Sequence, residues 1–208
     1  MIVTGGPRRL YKVAAVARPG ETIENPVTGE RVTWIETAHS TGGELLAADL
    51  YGQPAAAVGL AHRHVRQEER FAVRSGTAGF EVAGEARMVS QGDEVTIPVG
   101  VAHRWWNAGQ DELRVRMELR PALDTETFFE TFFGLARDGK TKAKAKGVPG
   151  LLQIAVLFRD LGDSCPQLVK PPPGVLRGVF TVLAPIGRLV GRQAVYPKYS
   201  PRHQSLAR

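Results

Sequence analysis

Residues 113–120 read Leu-Arg-Val-Arg-Met-Glu-Leu-Arg, a strict alternation of apolar and charged side chains. An extended backbone with one face on a core and the other in water satisfies that pattern, because successive side chains leave a strand on opposite sides. Shorter runs of the same kind precede it. They lie at 31–37 around Val32, Trp34 and Ile35, at 44–51, and through Val58, Leu60, His62 and His64. Others lie at 79–82 and 85–89 about Ala83-Gly84, and at 94–97. A further edge strand is expected near 11–16. Turn formers such as Glu24-Asn25-Pro26-Val27-Thr28-Gly29 separate the runs, and no helical period occurs before residue 121. Many short strands with glycine-rich turns predict two sheets closed into a barrel.

Pro121 ends this pattern. Thr125 is placed to cap a helix over 126–137, whose Phe128, Phe129, Phe132, Phe133 and Leu135 form a wide apolar side. That side needs a cover, either the barrel's outer sheet or another subunit. A basic linker over 140–146, a second helix over 149–161 and the stiff Pro171-Pro172-Pro173 spacer follow. The run 175–190 is the most apolar, yet it is too short for a membrane span and is broken by Arg177, Pro185 and Arg188. The expected organisation is a barrel with N-terminal edge strands over 1–120 and a helical, basic extension over 121–208.

Charge divides along the same line. Residues 1–136 hold 14 Lys and Arg against 18 Asp and Glu, a net of −4; residues 137–208 hold 13 against 3, a net of +10. A basic tail can meet nucleic acid, an acidic membrane surface or an acidic partner. No nucleic-acid motif accompanies this one, so nucleic acid is not an expected partner. Packing of the apolar run in a homodimer is favoured over contact with a membrane surface. The single cysteine, Cys165, excludes an internal disulfide and reads as an inert thiol in a reducing compartment. With no apolar signal core at the N-terminus, the expected location is the cytoplasm. No Walker-type or dinucleotide glycine loop occurs, which leaves nucleotide chemistry unsupported.

The chemistry concentrates between residues 62 and 107, where three of the five histidines fall. His62 and His64 share one face of a strand, a carboxylate follows, and His103 arrives on a later strand. Imidazole nitrogen and carboxylate oxygen are ligands that first-row divalent metals share. The candidate ligands are His62, His64, Glu69 and His103. Glu68 competes with Glu69; the six residues to Gly76 and the parity shared with Phe71 and Val73 favour Glu69. Leu60, Phe71, Val73, Trp105 and Met117 are candidates to line a pocket beside the metal, although core packing is the commoner use of Trp and Met.

These residues resemble the two signature motifs of the cupin superfamily. The first, His-x-His, then Glu, six residues and Gly, is filled by His62, His64, Glu69 and Gly76. The second, Gly, five residues, Pro-x-Gly, two residues, His, three residues and Asn, is filled by Gly92, Pro98, Gly100, His103 and Asn107. Where the first motif opens with a glycine, Ala56 stands here, with Gly59 nearby. The resemblance covers about residues 31–120; the C-terminal third resembles the helical tail of a set of single-domain bacterial cupins. It implies a mainly β, double-stranded β-helix (jelly-roll) barrel with C-terminal α-helices, and one divalent transition metal, Fe, Mn, Ni, Cu or Zn. It also implies a small organic substrate or ligand. Three activities fit: a dioxygenase-like oxidoreductase with Glu69 or Glu68 also acting as base, a metal-dependent isomerase or lyase without a redox step, and a non-enzymatic binder.

Overall fold

The computed structural model describes residues 17–54, 57–141 and 147–199, and of residues 57–59 the backbone only. The edge strand expected at 11–16 and most of the basic linker lie outside those residues. Ten strands come first: β1 (Thr22–Asn25), β2 (Glu30–Glu36), β3 (Leu46–Gly52), β4 (Ala57–Arg63), β5 (Glu68–Ser75), β6 (Thr77–Val82), β7 (Glu85–Ser90), β8 (Glu94–Ile97), β9 (His103–Asn107) and β10 (Leu113–Arg120). Helices α1 (Thr125–Arg137) and α2 (Leu151–Leu161), the short strand β11 (Gln167–Leu168) and helix α3 (Pro173–Leu189) follow. The strands form two antiparallel sheets in the orders β1-β2-β3-β10-β5-β8 and β11-β4-β9-β6-β7, a jelly-roll barrel with C-terminal helices.

The alternation read at 113–120 positions the core. Leu113, Val115, Met117 and Leu119 are almost fully buried between the sheets, against Phe71, Val73, Phe80 and Trp105. β10 lies between β3 and β5, so its charged side chains stand on the outer face, where Arg114 and Arg116 both hold Asp49. The β6–β7 hairpin turns through Ala83 and Gly84, both at positive φ (53° and 89°). That is the left-handed pair a two-residue hairpin with the native strand twist requires. Trp106 faces outward, and its indole lies over Gly79, where a Cβ would collide with the ring.

Helix α1 covers the barrel. Phe133 joins the barrel core, and Phe129 meets Trp34 edge to face at 6.0 Å between ring centroids. The expected capping differs: Thr125 is the first helical residue, the N-cap is Asp124 with no side-chain cap bond, and the Thr125 hydroxyl accepts a hydrogen bond from Gln67. The polar side of α1 is buried as well. Glu126 accepts a hydrogen bond from the Ala38 amide, and Thr131 donates to the Ala194 carbonyl. The tail thus folds back over α1. Helices α2 and α3 pack closely through Gly187, where a Cβ would sit 2.8 Å from the Leu152 carbonyl oxygen. They form a small core of Ala155, Val156, Leu157, Phe180 and Ala184. Cys165 is buried beside Leu157, and burial pushes its thiol well above the ordinary range, as an inert thiol requires.

Candidate metal centre

The two sheets supply different ligands. His62 near the end of β4 pairs with His103 at the start of β9, both in the five-stranded sheet. Glu69 on β5 comes from the six-stranded sheet and pairs there with Ile97 and Leu119. His64 lies just past β4. Its carbonyl accepts a 2.7 Å hydrogen bond from the Gly100 amide, so the tight turn after β8 is tied directly to the His-x-His segment. Gly100 is at φ 81°, a conformation that a Cβ disfavours. The Asn107 side chain works the same way at the far end of β9. It donates to the Gly52 and Asp111 carbonyls and accepts from the Gly109 amide, an architectural clamp remote from the ligands.

One donor atom from each of His62, His64, Glu69 and His103 lies within 4.8 Å of the others. His103 Nε2 is 2.8 Å and His64 Nε2 3.4 Å from Glu69 Oε2. Glu69 Oε2 and His103 Nε2 are nevertheless buried without a well-aligned hydrogen bond. Buried polar atoms that converge without satisfying one another are what a cation of this size would fill. The tautomers agree. His62 Nδ1 lies 2.9 Å from the Leu60 carbonyl and His103 Nδ1 3.1 Å from that of Val101. Each Nδ1 donates there, which leaves Nε2 to face the shared point.

The electrostatics follow from the crowding. Burial, followed by the neighbouring His103, lowers His62 to about 4, so its ring is neutral and available as a ligand at neutral pH. His64 is lowered for the same first reason. Burial alone would raise the Glu69 carboxyl, but the rings of His64, His103 and His62 together hold it below its ordinary value. Burial would lower His103, and the adjacent Glu69 carboxylate outweighs it, raising the ring. A cation held here would compete with protons for the ring nitrogens, so metal affinity would fall as the pH is lowered.

Gln67 sits beside the cluster without being one of its donors. It is fully buried, and its Nε2 points to the Pro121 carbonyl (2.9 Å), the Ala122 carbonyl (3.1 Å) and the Thr125 hydroxyl (2.9 Å). The amide oxygen is thereby turned toward the His64 ring, on which it acts; Gln67 Oε1 and His64 Nδ1 are the atoms left over. Neither atom has a hydrogen-bond partner among the described residues, but the Gln67 side chain lies near enough to His64 to raise its ring against the effect of burial. Gln67→Ala is expected to weaken metal affinity roughly 10- to 100-fold while leaving the barrel folded, measured by competition with a chromophoric chelator. The residue is legible in the sequence only as the second before Glu69; its anchors at 121–125 come from the tail.

The other candidates separate. Glu68 is exposed and lies outside the cluster. Phe71, Val73, Trp105 and Met117 are buried in the barrel core, at 1%, 2%, 5% and 2% exposure. They form the packed floor beneath the cluster. Leu60 is 61% exposed, because a bulge between Val58 and His62 carries it out of the inward row. Open space occurs at the outer mouth, as a cleft of about 440 Å³ lined by His103, Leu60, Ala61, Glu81, Val169 and Lys170. The last two come from the tail. β11 adds to the sheet edge with Gln167 opposite Arg63 and Leu168 opposite His62, and the Val169 amide donates to the Ala61 carbonyl. No periodicity announces a two-residue strand held by its backbone.

Comparison with known proteins agrees with this architecture. Residues 52–119 match the family described as Cupin domain. A curated relative, "Probable oxidoreductase virH" of Hypocrea virens (strain Gv29-8 / FGSC 10586), is 26% identical over 178 residues, 79% of this chain and 75% of that protein. Among solved structures, the Cnp3 cupin domain of Schizosaccharomyces pombe is similar with a TM-score of 0.41 and 11% identity. That match covers 44% of this chain and 64% of the other, just under two thirds. A predicted oxalate decarboxylase of Thermotoga maritima has a TM-score of 0.44 and 20% identity, over 49% of this chain and 90% of that one. With both motifs, the two-sheet barrel and the match over 52–119 in hand, residues 52–119 form a cupin domain.

Proposed function

We propose that this protein is a metal-dependent oxidoreductase of the dioxygenase type, acting on a small organic substrate at a centre formed by His62, His64, Glu69 and His103. The observation that carries the reading is the convergence of three imidazoles and one carboxylate, in which Glu69 Oε2 and His103 Nε2 are buried without a hydrogen-bond partner. The relative whose name reads "Probable oxidoreductase virH" supports the redox class. A metal with these four ligands and a preference for five or six keeps a position for substrate oxygen or O₂. The chain's own residues do the rest. Carbonyls of Leu60 and Val101 fix two ring orientations, and the aromatic floor of Phe71 and Trp105 keeps water from below the cluster. Glu69 stays ionised beside three rings, and on release from them it is the nearest base for an enol or phenol proton.

The mouth adds a preference for acids. Among the described residues Lys170 makes no ion pair, whereas Glu81 in the same cleft is held by Arg104. A carboxylate on the substrate would pair with Lys170. Lys170→Glu is expected to weaken binding of 3,4-dihydroxybenzoate to the metal-loaded protein roughly fivefold, the scale of an exposed ion pair. Catechol, which lacks the carboxylate, should bind it as it binds the wild type, and equal effects on both would remove Lys170 from recognition.

The deciding experiment is elemental analysis of the purified protein with oxygen-uptake screens on enol and phenolic acids. Iron, manganese, copper or nickel with substrate-dependent uptake supports the proposal. Zinc without uptake sinks the redox step and brings forward an isomerase, lyase or binder. We place the enzyme in the cytoplasm, where the lone thiol stays reduced. A homodimer is the assembly we expect, and light scattering at twice 22.6 kDa checks it.

A further inference from the structure

Helix α3 uses one side to pack on α2 and leaves another bare. Phe180, Ala184 and Gly187 are buried. On the other side Val175, Val179, Val182, Ile186 and Leu189 follow one another at four, three, four and three residues, the spacing of a single helical stripe. They are 55%, 38%, 65%, 44% and 86% exposed, and Val190 continues the row at 58%. No charged residue interrupts the stripe. A continuous apolar row along one side of a helix is the form in which an amphipathic helix lies in a bilayer surface.

Two features identify what covers it. The first is charge. Residues 164–208 contain seven Lys and Arg and no Asp or Glu. Lys170 and Arg192 bracket α3 and Arg177 flanks the stripe; none of the three has an ion-pair partner among the described residues. Arg188, also on α3, is held by Asp160. The second is area. Seventeen residues at 1.5 Å rise make a helix about 25 Å long, and a stripe about 10 Å wide along it offers roughly 250 Å². A stable protein interface buries about 800 Å² on each partner, so this face by itself is too small for a dimer. A bilayer needs no matching protein surface, and basic flanks add attraction to anionic headgroups. None of the helices described is long and apolar enough to cross a membrane, so the stripe can only lie along one.

We propose that α3 is a peripheral membrane anchor that lays Val175, Val179, Val182, Ile186 and Leu189 into the surface of an anionic bilayer. The cupin barrel then works at the membrane face, with the cleft-lining Lys170 three residues before α3. This reading is independent of the metal centre's chemistry.

The test is flotation of the full chain with two vesicle types, phosphatidylcholine alone and phosphatidylcholine mixed with phosphatidylglycerol. The wild type is expected to float with the mixed vesicles at least tenfold more than with the neutral ones, and to be released by salt. Val182→Asp with Ile186→Asp should abolish flotation, with circular dichroism and metal content unchanged. Arg177→Glu with Arg192→Glu should remove the preference for anionic vesicles while the apolar stripe stays intact. Failure of the wild type to float would overturn the proposal. So would a fall from dimer to monomer in the Asp variant, which would make the stripe a contact between copies.

Discussion

His64→Ala is expected to purify with trace metal where the wild type carries an ion, and to lose more affinity than the roughly 10- to 100-fold that loss of a supporting hydrogen bond costs. The substitution removes one of four donors, Nε2 at 3.4 Å from Glu69, and opens one side of a cluster that burial otherwise closes. Folding is expected to survive. The bond that ties this segment to the turn after β8 runs from the Gly100 amide to the His64 carbonyl, and Ala keeps that carbonyl. Elemental analysis with circular dichroism of the same sample checks both halves. Full metal retention in a folded variant would remove His64 from the ligand set, and with it the proposed centre.

Trp34→Ala should be the most destabilising change on the barrel's α1 side, at about 3–5 kcal/mol. Against a total stability of about 5–15 kcal/mol, such a loss decides whether the chain folds at physiological temperature. Trp34 is 0% exposed, it stands in β2 opposite Ala48 of β3, and its ring meets Phe129. It therefore joins the sheet to α1, and truncation leaves a cavity between two layers. Trp34→Phe is expected to cost only on the order of 1–2 kcal/mol. The indole Nε1 is buried without a hydrogen-bond partner, so losing it leaves no acceptor stranded. Urea melts of the two variants measure the difference, and both should still take up metal, since Trp34 is not among the clustered donors. Equal losses in the two variants would mean that the indole nitrogen has a role that the packing does not explain.

The residues that proved easiest to read share a reason. His62, His64, Glu69 and His103 were legible because strand alternation and motif spacing are local rules, and a backbone in those conformations leaves side chains few directions. The six residues to Gly76 and the parity shared with Phe71 and Val73 favoured Glu69 over Glu68, and the exposed Glu68 lies outside the cluster. Leu60 shows where the rule stops. Parity places it inward, yet two extra residues in β4 opposite β9 throw it outward, and a bulge depends on the partner strand. Thr125 is similar. Its type and position suit a helix cap, but the helix begins one residue earlier than that reading needs, and the hydroxyl faces the buried Gln67 amide, a residue far away in the chain.

By itself the sequence determined the two-sheet barrel, the ligand types and the division of charge, since each depends on neighbours along the chain. The tertiary structure decided what surrounds the cluster. It packed the aromatic residues into a solid floor, and it placed the opening at the outer mouth, between β4 and a two-residue strand from the tail about a hundred residues downstream. It anchored Gln67 beside His64 through acceptors at Pro121, Ala122 and Thr125. Each of these is a contact between segments far apart in the chain, made by shape and by backbone hydrogen bonding, and neither leaves a periodic mark in the residues that make it.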